Sequence, residues 1–177
     1  MKKKDRNALL ALPIVLLIGA GIALAGSQGG SMIFGVPLFS ISVGLAFLIQ
    51  LLAFIPAYLL QTEKFFDLTG SITYILVTIF AVLFSPKVDG RSILLLILVI
   101  IWAIRLGSFL FRRIHYAGKD ARFDEIKPSF IRFLLTWTLQ GLWVTVTSAA
   151  ALTAITSATR QELGFIAMIG FLIWIFG

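Results

Sequence analysis

The chain contains no cysteine and one histidine, and only 13% of its 177 residues are charged. Without cysteine there is no disulfide and no thiolate ligand for a metal ion. His115 alone cannot form a histidine-based metal site, and no pair of carboxylates lies beside it at ligand spacing. The sequence also lacks a Walker loop and a Gly-x-Ser-x-Gly nucleophile motif. We therefore expect no metal site and none of the nucleotide-binding or hydrolase sites that these motifs form.

Apolar residues dominate the sequence instead. They make up 59% of the chain, and the mean hydropathy of +1.02 exceeds that of soluble domains. Six apolar segments are candidates to cross ~30 Å of hydrocarbon as helices, although the last would measure only about 24 Å. They cover approximately residues 8–26, 38–60, 69–85, 92–111, 133–156 and 162–177. We predict an all-α, polytopic integral membrane protein with about six transmembrane helices, in which residues 1–177 form a single transmembrane domain.

The N-terminal segment has two interpretations. Basic residues followed by an apolar run are typical of a secretory signal peptide. This run is long for such a peptide and five further spans follow it, so we expect an uncleaved first helix. Its small residues in "GAGIALAG" (19–26) recur at four-residue spacing. That spacing favours close packing against another helix over nucleotide binding, because the nucleotide fingerprint follows a β-strand.

The cations predict the orientation in the membrane. With the N-terminus in the cytoplasm, only Lys87, Arg91 and Arg160 lie on the opposite side. Eleven cations then lie on the cytoplasmic side: Lys2, Lys3, Lys4, Arg6, Lys64, Arg112, Arg113, Lys119, Arg122, Lys127 and Arg132. This bias places the 112–132 loop in the cytoplasm. Because insertion alone explains the net charge of +7, we expect membrane lipids as partners and no nucleic acid.

An arginine lies within the fourth apolar segment. Trp102, Arg105, Phe109 and Arg112 fall near one face of the predicted helix, running toward the cytoplasm. Arg105, about two turns from the predicted helix end, can extend its side chain to the lipid headgroups. Alternatively, it can bind an anion at the mouth of a cavity, because the planar guanidinium binds phosphate oxygens in pairs. The residues leave both interpretations open.

Polar residues also border the third and fifth segments. Asp67 and Thr69 can cap the third helix. Alternatively, Glu63 or Asp67 can hold a proton at the membrane border and donate it when hydride reaches a conjugated ketone. Gln140, in the middle of the fifth segment, must find a partner in another helix or in a ligand.

Four segments together resemble a known family. They are "EKFFDLTGSITYI" (63–75), "WAIRLGSFLFRRI" (102–114), "GKDARFDEI" (118–126) and "RFLLTWTLQGLW" (132–143). Their order and spacing, over about residues 45–177, resemble the bacterial membrane proteins of domain of unknown function 1295, relatives of the steroid 5-alpha-reductases. The resemblance implies a fold of about seven helices in a bacterial inner membrane. It also implies NADPH bound from the cytoplasmic side and an apolar substrate with a conjugated double bond that enters from the lipid.

The resemblance assigns residues to this site. Trp102 and Arg105 correspond to an aromatic residue and an arginine close to the cofactor. Arg112, Arg113, Asp120 and Arg122 match the polar loop that borders the cofactor. Glu63 or Asp67 lies near the region where steroid reductases place a carboxylate on the substrate carbonyl.

The resemblance also suggests that the chain is incomplete. Relatives continue into a cytoplasmic segment with an Arg-His-Pro-Asn-Tyr-like motif that supplies much of the NADPH contact. This chain ends at "GFLIWIFG" (170–177), so we expect an N-terminal portion of a lipid or steroid-like enone reductase that lacks most of its cofactor site. A non-catalytic membrane protein that binds lipid or a partner is one alternative. A methyltransferase related to the isoprenylcysteine enzymes is another.

Overall fold

The computed structural model describes residues 2–159 and 162–177. Within these ranges the chain forms six α-helices: α1 (Lys3–Gly26), α2 (Leu38–Leu59), α3 (Phe66–Phe84), α4 (Gly90–Ala117), α5 (Phe130–Thr156) and α6 (Phe165–Phe176). A short antiparallel hairpin, β1 (Met32–Ile33) and β2 (Val36–Pro37), connects α1 and α2. A single 3-10 turn, Ala121–Phe123, lies between α4 and α5.

Helices α1 to α5 are long and apolar enough to cross a membrane. The predicted all-α, polytopic membrane fold is therefore confirmed. The predicted sixth span, 162–177, is represented by α6, whose 12 residues measure about 18 Å at 1.5 Å per residue. That length is short of the hydrocarbon thickness. Arg160, which entered the orientation argument, lies outside the described residues.

The fourth helix continues beyond its predicted end. It ends at Ala117 rather than at residue 111, so residues 112–117 are helical and not part of a loop. Gly118 terminates it with a φ of +76°, and its N–H donates to the carbonyl of Ile114 at 2.9 Å. Arg105 consequently lies twelve residues before the helix end, more than three turns and not the two turns first expected.

The helices surround α5. This helix packs against α1, α2 and α3, and its Val144 and Leu152 join Phe39 of α2 and Val77 of α3 in the main core. In contrast, α4 packs along α3 and touches α5 only slightly. A groove therefore remains between α4 and α5, with α3 as its floor.

Glycines allow the helices to approach closely. A Cβ atom at Gly19 would lie 2.7 Å from the Phe47 ring, and one at Gly26 would lie 2.3 Å from the Phe39 ring. The predicted close packing is thus confirmed at Gly19 and Gly26, whereas nothing lies within 4 Å of a Cβ atom added at Gly21. A Cβ atom at Gly107 of α4 would lie 2.8 Å from that of Ser71, so this glycine sets the contact between α4 and the floor of the groove.

Three parts of the chain meet at one end of the bundle. Lys4 pairs with Glu125 at 2.7 Å, and the hydroxyl of Ser129 donates to Asp5 at 2.8 Å. In the α2–α3 loop, Glu63 pairs with Lys127 of the α4–α5 loop. We call this end, formed by the start of α1 with residues 60–65 and 118–129, the basic end.

The packing predicts a stability difference between two glycines. We expect Gly107→Leu to lower the free energy of unfolding by about 1–3 kcal/mol, because the side chain must push α4 away from Ser71. The control is Gly44→Leu, where nothing lies within 4 Å of the added Cβ atom. Thermal unfolding in detergent should show a lower midpoint for the first variant alone. Equal midpoints would contradict the close α3–α4 contact.

Candidate lateral groove and basic end

The groove between α4 and α5, called the lateral groove below, has a volume of about 590 Å³. Its walls are apolar and include Leu106 and Leu110 of α4 and Leu139 and Trp143 of α5. Trp143 is 70% exposed, which shows that the groove opens sideways at the surface of the bundle. An apolar cleft of this size with few polar groups is typical of a small-molecule site.

The floor of the groove carries the polar groups. Asp67, Ser71 and Tyr74 line it from α3, and their spacing of four and three residues places them on one helical face. The Ser71 hydroxyl donates to the carbonyl of Asp67 at 3.3 Å. Tyr74 is buried, and its hydroxyl has no hydrogen-bond partner among the described residues. The groove therefore offers a carboxylate at one end and a phenol about 10 Å further along the helix.

A smaller cavity of about 340 Å³ lies on the other side of Tyr74. It is lined by Trp102 of α4 and by Trp174 of α6, among others. The rings of Tyr74 and Trp102 meet edge to face with centroids 4.9 Å apart. Tyr74 lines both the small cavity and the lateral groove.

Gln140 crosses from α5 to α3. Its Nε2 donates to the carbonyl of Phe66 at 2.9 Å, so of the two predicted alternatives the partner in another helix is present. A Cβ atom at Gly70 would lie 2.1 Å from Nε2, so the glycine makes room for the amide. Gln140 also lines the lateral groove.

Glu63 lies outside the groove and joins two loops. Its side chain is only 3% exposed and accepts from Lys127 Nζ at 2.5 Å and from the Asp120 N–H at 3.0 Å. Burial opposes the ionisation of this carboxyl group, but its hydrogen bonds and the charge of Lys127 together outweigh burial and hold the pKa of Glu63 below its ordinary value of 4.5. Glu63 is thus a structural carboxylate in this arrangement.

Asp67 and Asp120 each pair with an arginine. Arg113 contacts Asp67 at 3.1 Å, and Arg122 contacts both carboxylate oxygens of Asp120. The Arg122 guanidinium holds the pKa of the Asp120 carboxyl below its usual range. Arg113, Asp120 and Arg122 line a hollow of about 210 Å³ with Lys119, called the basic hollow below. Asp67 therefore lines the lateral groove and also contacts Arg113 of the basic hollow.

The remaining predicted cofactor residues lie elsewhere. Arg105 is exposed and points about 200° around α4 from Gly107, the residue that contacts α3. Arg112 is also exposed, and its Nε donates to the carbonyl of Ser108 at 3.2 Å. Trp102 lies in the smaller cavity. The structure thus brings Asp67, Arg113, Asp120 and Arg122 together and leaves Trp102, Arg105 and Arg112 apart.

Two expectations about the α2–α3 loop need revision. Neither Asp67 nor Thr69 caps α3: the N-cap residue is Phe65, and the Thr69 hydroxyl donates back to the Phe65 carbonyl at 2.8 Å. Sequence reasoning also overlooked Tyr74 and the partner of Glu63. The seven-residue spacing from Asp67 can identify Tyr74, whereas no local signal identifies Lys127 as that partner.

We expect Glu63→Gln to release the α4–α5 loop. The change leaves Lys127 charged and unpaired with its side chain only 17% exposed, which costs about 3 kcal/mol. Amide hydrogen exchange of residues 118–129 should then rise about a hundredfold. Asp124→Asn is the control, because Asp124 pairs with Lys119 at an exposed position where such pairs contribute little.

The pH dependence provides a second prediction for the same contact. Because the pKa of Glu63 is lowered by folding, its stabilising effect is complete at neutral pH and is lost as the pH falls through the folded-state pKa. After correction for intrinsic rates, exchange in residues 118–129 should rise below about pH 4.5 in the natural chain. It should stay high and nearly flat in Glu63→Gln. A natural chain with no acid response would contradict the ion pair.

Comparison with known proteins identifies a family. The profile of the family described as "Protein of unknown function (DUF1295)" matches residues 53–177. No curated protein and no solved structure matches the chain significantly. The match includes α3, α4 and α5 and therefore the whole lateral groove and the basic hollow. The chain belongs to the DUF1295 family.

Proposed function

We propose that the chain is a membrane-embedded, NADPH-dependent reductase of a lipid or steroid-like conjugated enone. The observation that carries this proposal is the position of Asp67. Its carboxylate lines the apolar lateral groove and pairs with Arg113 of the basic hollow. An apolar substrate site and an anion site thus meet at one acidic residue.

The lateral groove suits an apolar substrate. Its walls are leucine, valine and tryptophan side chains, and exposed Trp143 and Val146 mark its open side. Since α4 and α5 are both membrane-spanning in length, this open side faces the hydrocarbon. A lipid-soluble substrate can enter there without crossing water, and the walls then exclude water from the reacting atoms.

The basic hollow suits the phosphate groups of the cofactor. The Arg113 and Arg122 side chains are 46% and 69% exposed, so each guanidinium can bind a phosphate while it stays paired with its carboxylate. We assign phosphate binding to Arg113 and Arg122, with Asp120 orienting Arg122. A nicotinamide cofactor held there would supply the hydride for reduction of the carbon–carbon double bond. The roles of Trp102, Arg105 and Arg112 stay predictions.

The protein's own groups act on the carbonyl and the proton. The Tyr74 hydroxyl donates a hydrogen bond to the substrate carbonyl and stabilises the negative charge that develops on its oxygen. With a hydride on the β carbon, the enolate would take a proton at the α carbon to give the saturated ketone. Of the two predicted acids, Asp67 lines the groove, whereas Glu63 holds the loops. We assign the proton transfer to Asp67, whose carboxylate pairs with Arg113 and would first take up that proton from water.

The orientation follows the distribution of cations. The basic end carries Lys4, Lys64 and the cations of residues 118–129. The positive-inside rule then places this end in the cytoplasm, where NADPH is present. We propose a bacterial inner membrane as the location, with membrane lipids around α1 to α5.

A second candidate function is a non-catalytic lipid-binding membrane protein. The separation of Trp102, Arg105 and Arg112 from the basic hollow favours it, because these residues cannot all contact a ligand that lies in the hollow. The groove would then bind a lipid and catalyse no reaction.

Nucleotide binding distinguishes these candidates. We expect the chain in phosphatidylcholine nanodiscs to bind NADPH, measured by nucleotide fluorescence, with an affinity that falls as salt is added. Arg122→Ala and Arg113→Ala should each weaken binding about tenfold, because each removes a charge-assisted hydrogen bond. Lys87→Ala, an exposed cation at the opposite end, is the control and should change nothing.

Each other result of this experiment has a defined meaning. Weaker binding in Arg105→Ala, with Arg122→Ala unaffected, would move the cofactor to the outer face of α4 and contradict the basic hollow. Binding of S-adenosylmethionine in place of NADPH would indicate a methyltransferase. Absence of binding to either would leave the lipid-binding function.

The phenol of Tyr74 provides a catalytic prediction. In assays of NADPH oxidation with an apolar conjugated ketone, Tyr74→Phe should lower kcat about a hundredfold and change KM little, because the lost donor acts mainly on the developing charge. Tyr116→Phe is the matched control, since that side chain is 86% exposed. An unchanged kcat in Tyr74→Phe would remove Tyr74 from the mechanism.

A further inference from the structure

Two buried polar atoms of the residues that line the lateral groove have no hydrogen-bond partner among the described residues: the Tyr74 hydroxyl and Oε1 of Gln140. Of the two, only Oε1 of Gln140 is an amide oxygen, which accepts a hydrogen bond and cannot donate one. We propose that the natural ligand of the groove is an apolar molecule with a hydrogen-bond donor, a hydroxyl or N–H group, that Oε1 accepts. This inference rests on the groove's role in the proposed function and specifies the class of substrate.

The direction of the hydrogen bond follows from the other half of the amide. Nε2 faces the backbone carbonyl of Phe66 at 2.9 Å, and a carbonyl oxygen only accepts. The nitrogen must therefore occupy that position, and the remaining atom of the amide is the oxygen. A group that meets Oε1 must be a donor, so a ketone, an ether or a phosphodiester does not fit it.

The hydroxyl groups of the groove do not supply this donor. Thr136 lines the groove, and its hydroxyl proton goes to the carbonyl of Arg132 at 2.9 Å. The proton of Ser71 goes to the carbonyl of Asp67 at 3.3 Å. A hydroxyl has one proton to donate, so both of these groups are already used. The third hydroxyl of the groove, that of Tyr74, makes no hydrogen bond to Gln140.

The amide is also held in place. Its Nε2 occupies the space that a Cβ atom would take at Gly70, 2.1 Å away, and the bond to Phe66 fixes its plane. A buried acceptor without a partner costs about 1–3 kcal/mol, and a ligand that supplies the missing donor recovers part of this energy. The recovered energy discriminates between ligands that carry a donor and those that lack one.

A second glutamine provides a matched comparison. Gln50 of α2 is fully buried and also has an unpartnered Oε1 among the described residues. Its Nε2 donates to Thr73 Oγ1 at 2.7 Å. Gln50 is not among the residues that line the lateral groove, so a groove ligand does not reach it. The two amides thus have the same unmet hydrogen bond, but only Gln140 belongs to the lining of the groove.

The test uses two probes that differ in one donor. We would titrate the full chain in phosphatidylcholine nanodiscs, whose lipid carries no donor, with a hydroxylated polycyclic enone and with its O-methyl ether. Quenching of tryptophan fluorescence reports binding, since Trp143 lines the groove. We expect the alcohol to bind about tenfold more tightly than the ether, the effect of one hydrogen bond. Gln140→Leu should bring the ratio close to one, and Gln50→Leu should preserve it.

The natural chain alone decides the proposal if Gln140→Leu does not fold. Equal affinity for the two probes would overturn it, because Oε1 would then be satisfied by water. Failure of both probes to bind would overturn it together with the substrate site of the reductase. A tenfold preference without NADPH binding would support this inference and reject the reductase. A ratio that falls equally in both glutamine variants would also contradict the assignment to Gln140.

Discussion

The carboxylate of Glu63 connects the parts of the molecule on which the candidate site depends. It binds Lys127 and the Asp120 N–H and so joins the loop that precedes α3 to the loop that connects α4 and α5. These three helices form the lateral groove. Asp120 in turn orients Arg122. The buried carboxylate of Glu63 therefore positions both the loops next to the lateral groove and the residues of the basic hollow. A charge with so little exposure is stable there because each of its oxygens accepts a hydrogen bond.

The groove itself results from unequal helix packing. Gly107 allows α4 to contact α3 closely, while α5 is held by α1, α2 and α3. Few contacts remain between α4 and α5, and the space between them is filled neither by side chains nor by a further described helix. In the membrane such a space is open to lipid-soluble molecules. Polar groups on its floor can then act on a ligand that water does not reach.

Membrane thickness made the helices predictable, because each apolar run must be long enough to span the hydrocarbon. It did not predict the end of α4, which depends on the positive φ of Gly118. The motifs located Asp67, Arg113, Asp120 and Arg122, which the structure brings together. They did not distinguish Glu63 from Asp67, because the partner of Glu63 lies 64 residues away. The motifs also grouped Arg105 with the loop residues. Its position on α4, however, is about 200° around the helix from Gly107, so its side chain lies on the face of α4 opposite to the contact with α3.

The central claim is that the lateral groove binds an apolar ligand, and photoaffinity labelling tests it most directly. A conjugated ketone with a diazirine group would be irradiated with the chain in nanodiscs, and labelled residues would be identified by mass spectrometry. The account predicts labels on Leu106, Leu110 and Leu139 that disappear when excess unlabelled ketone is added. Labels spread over the exposed leucines of α1 and α2, without competition, would contradict it.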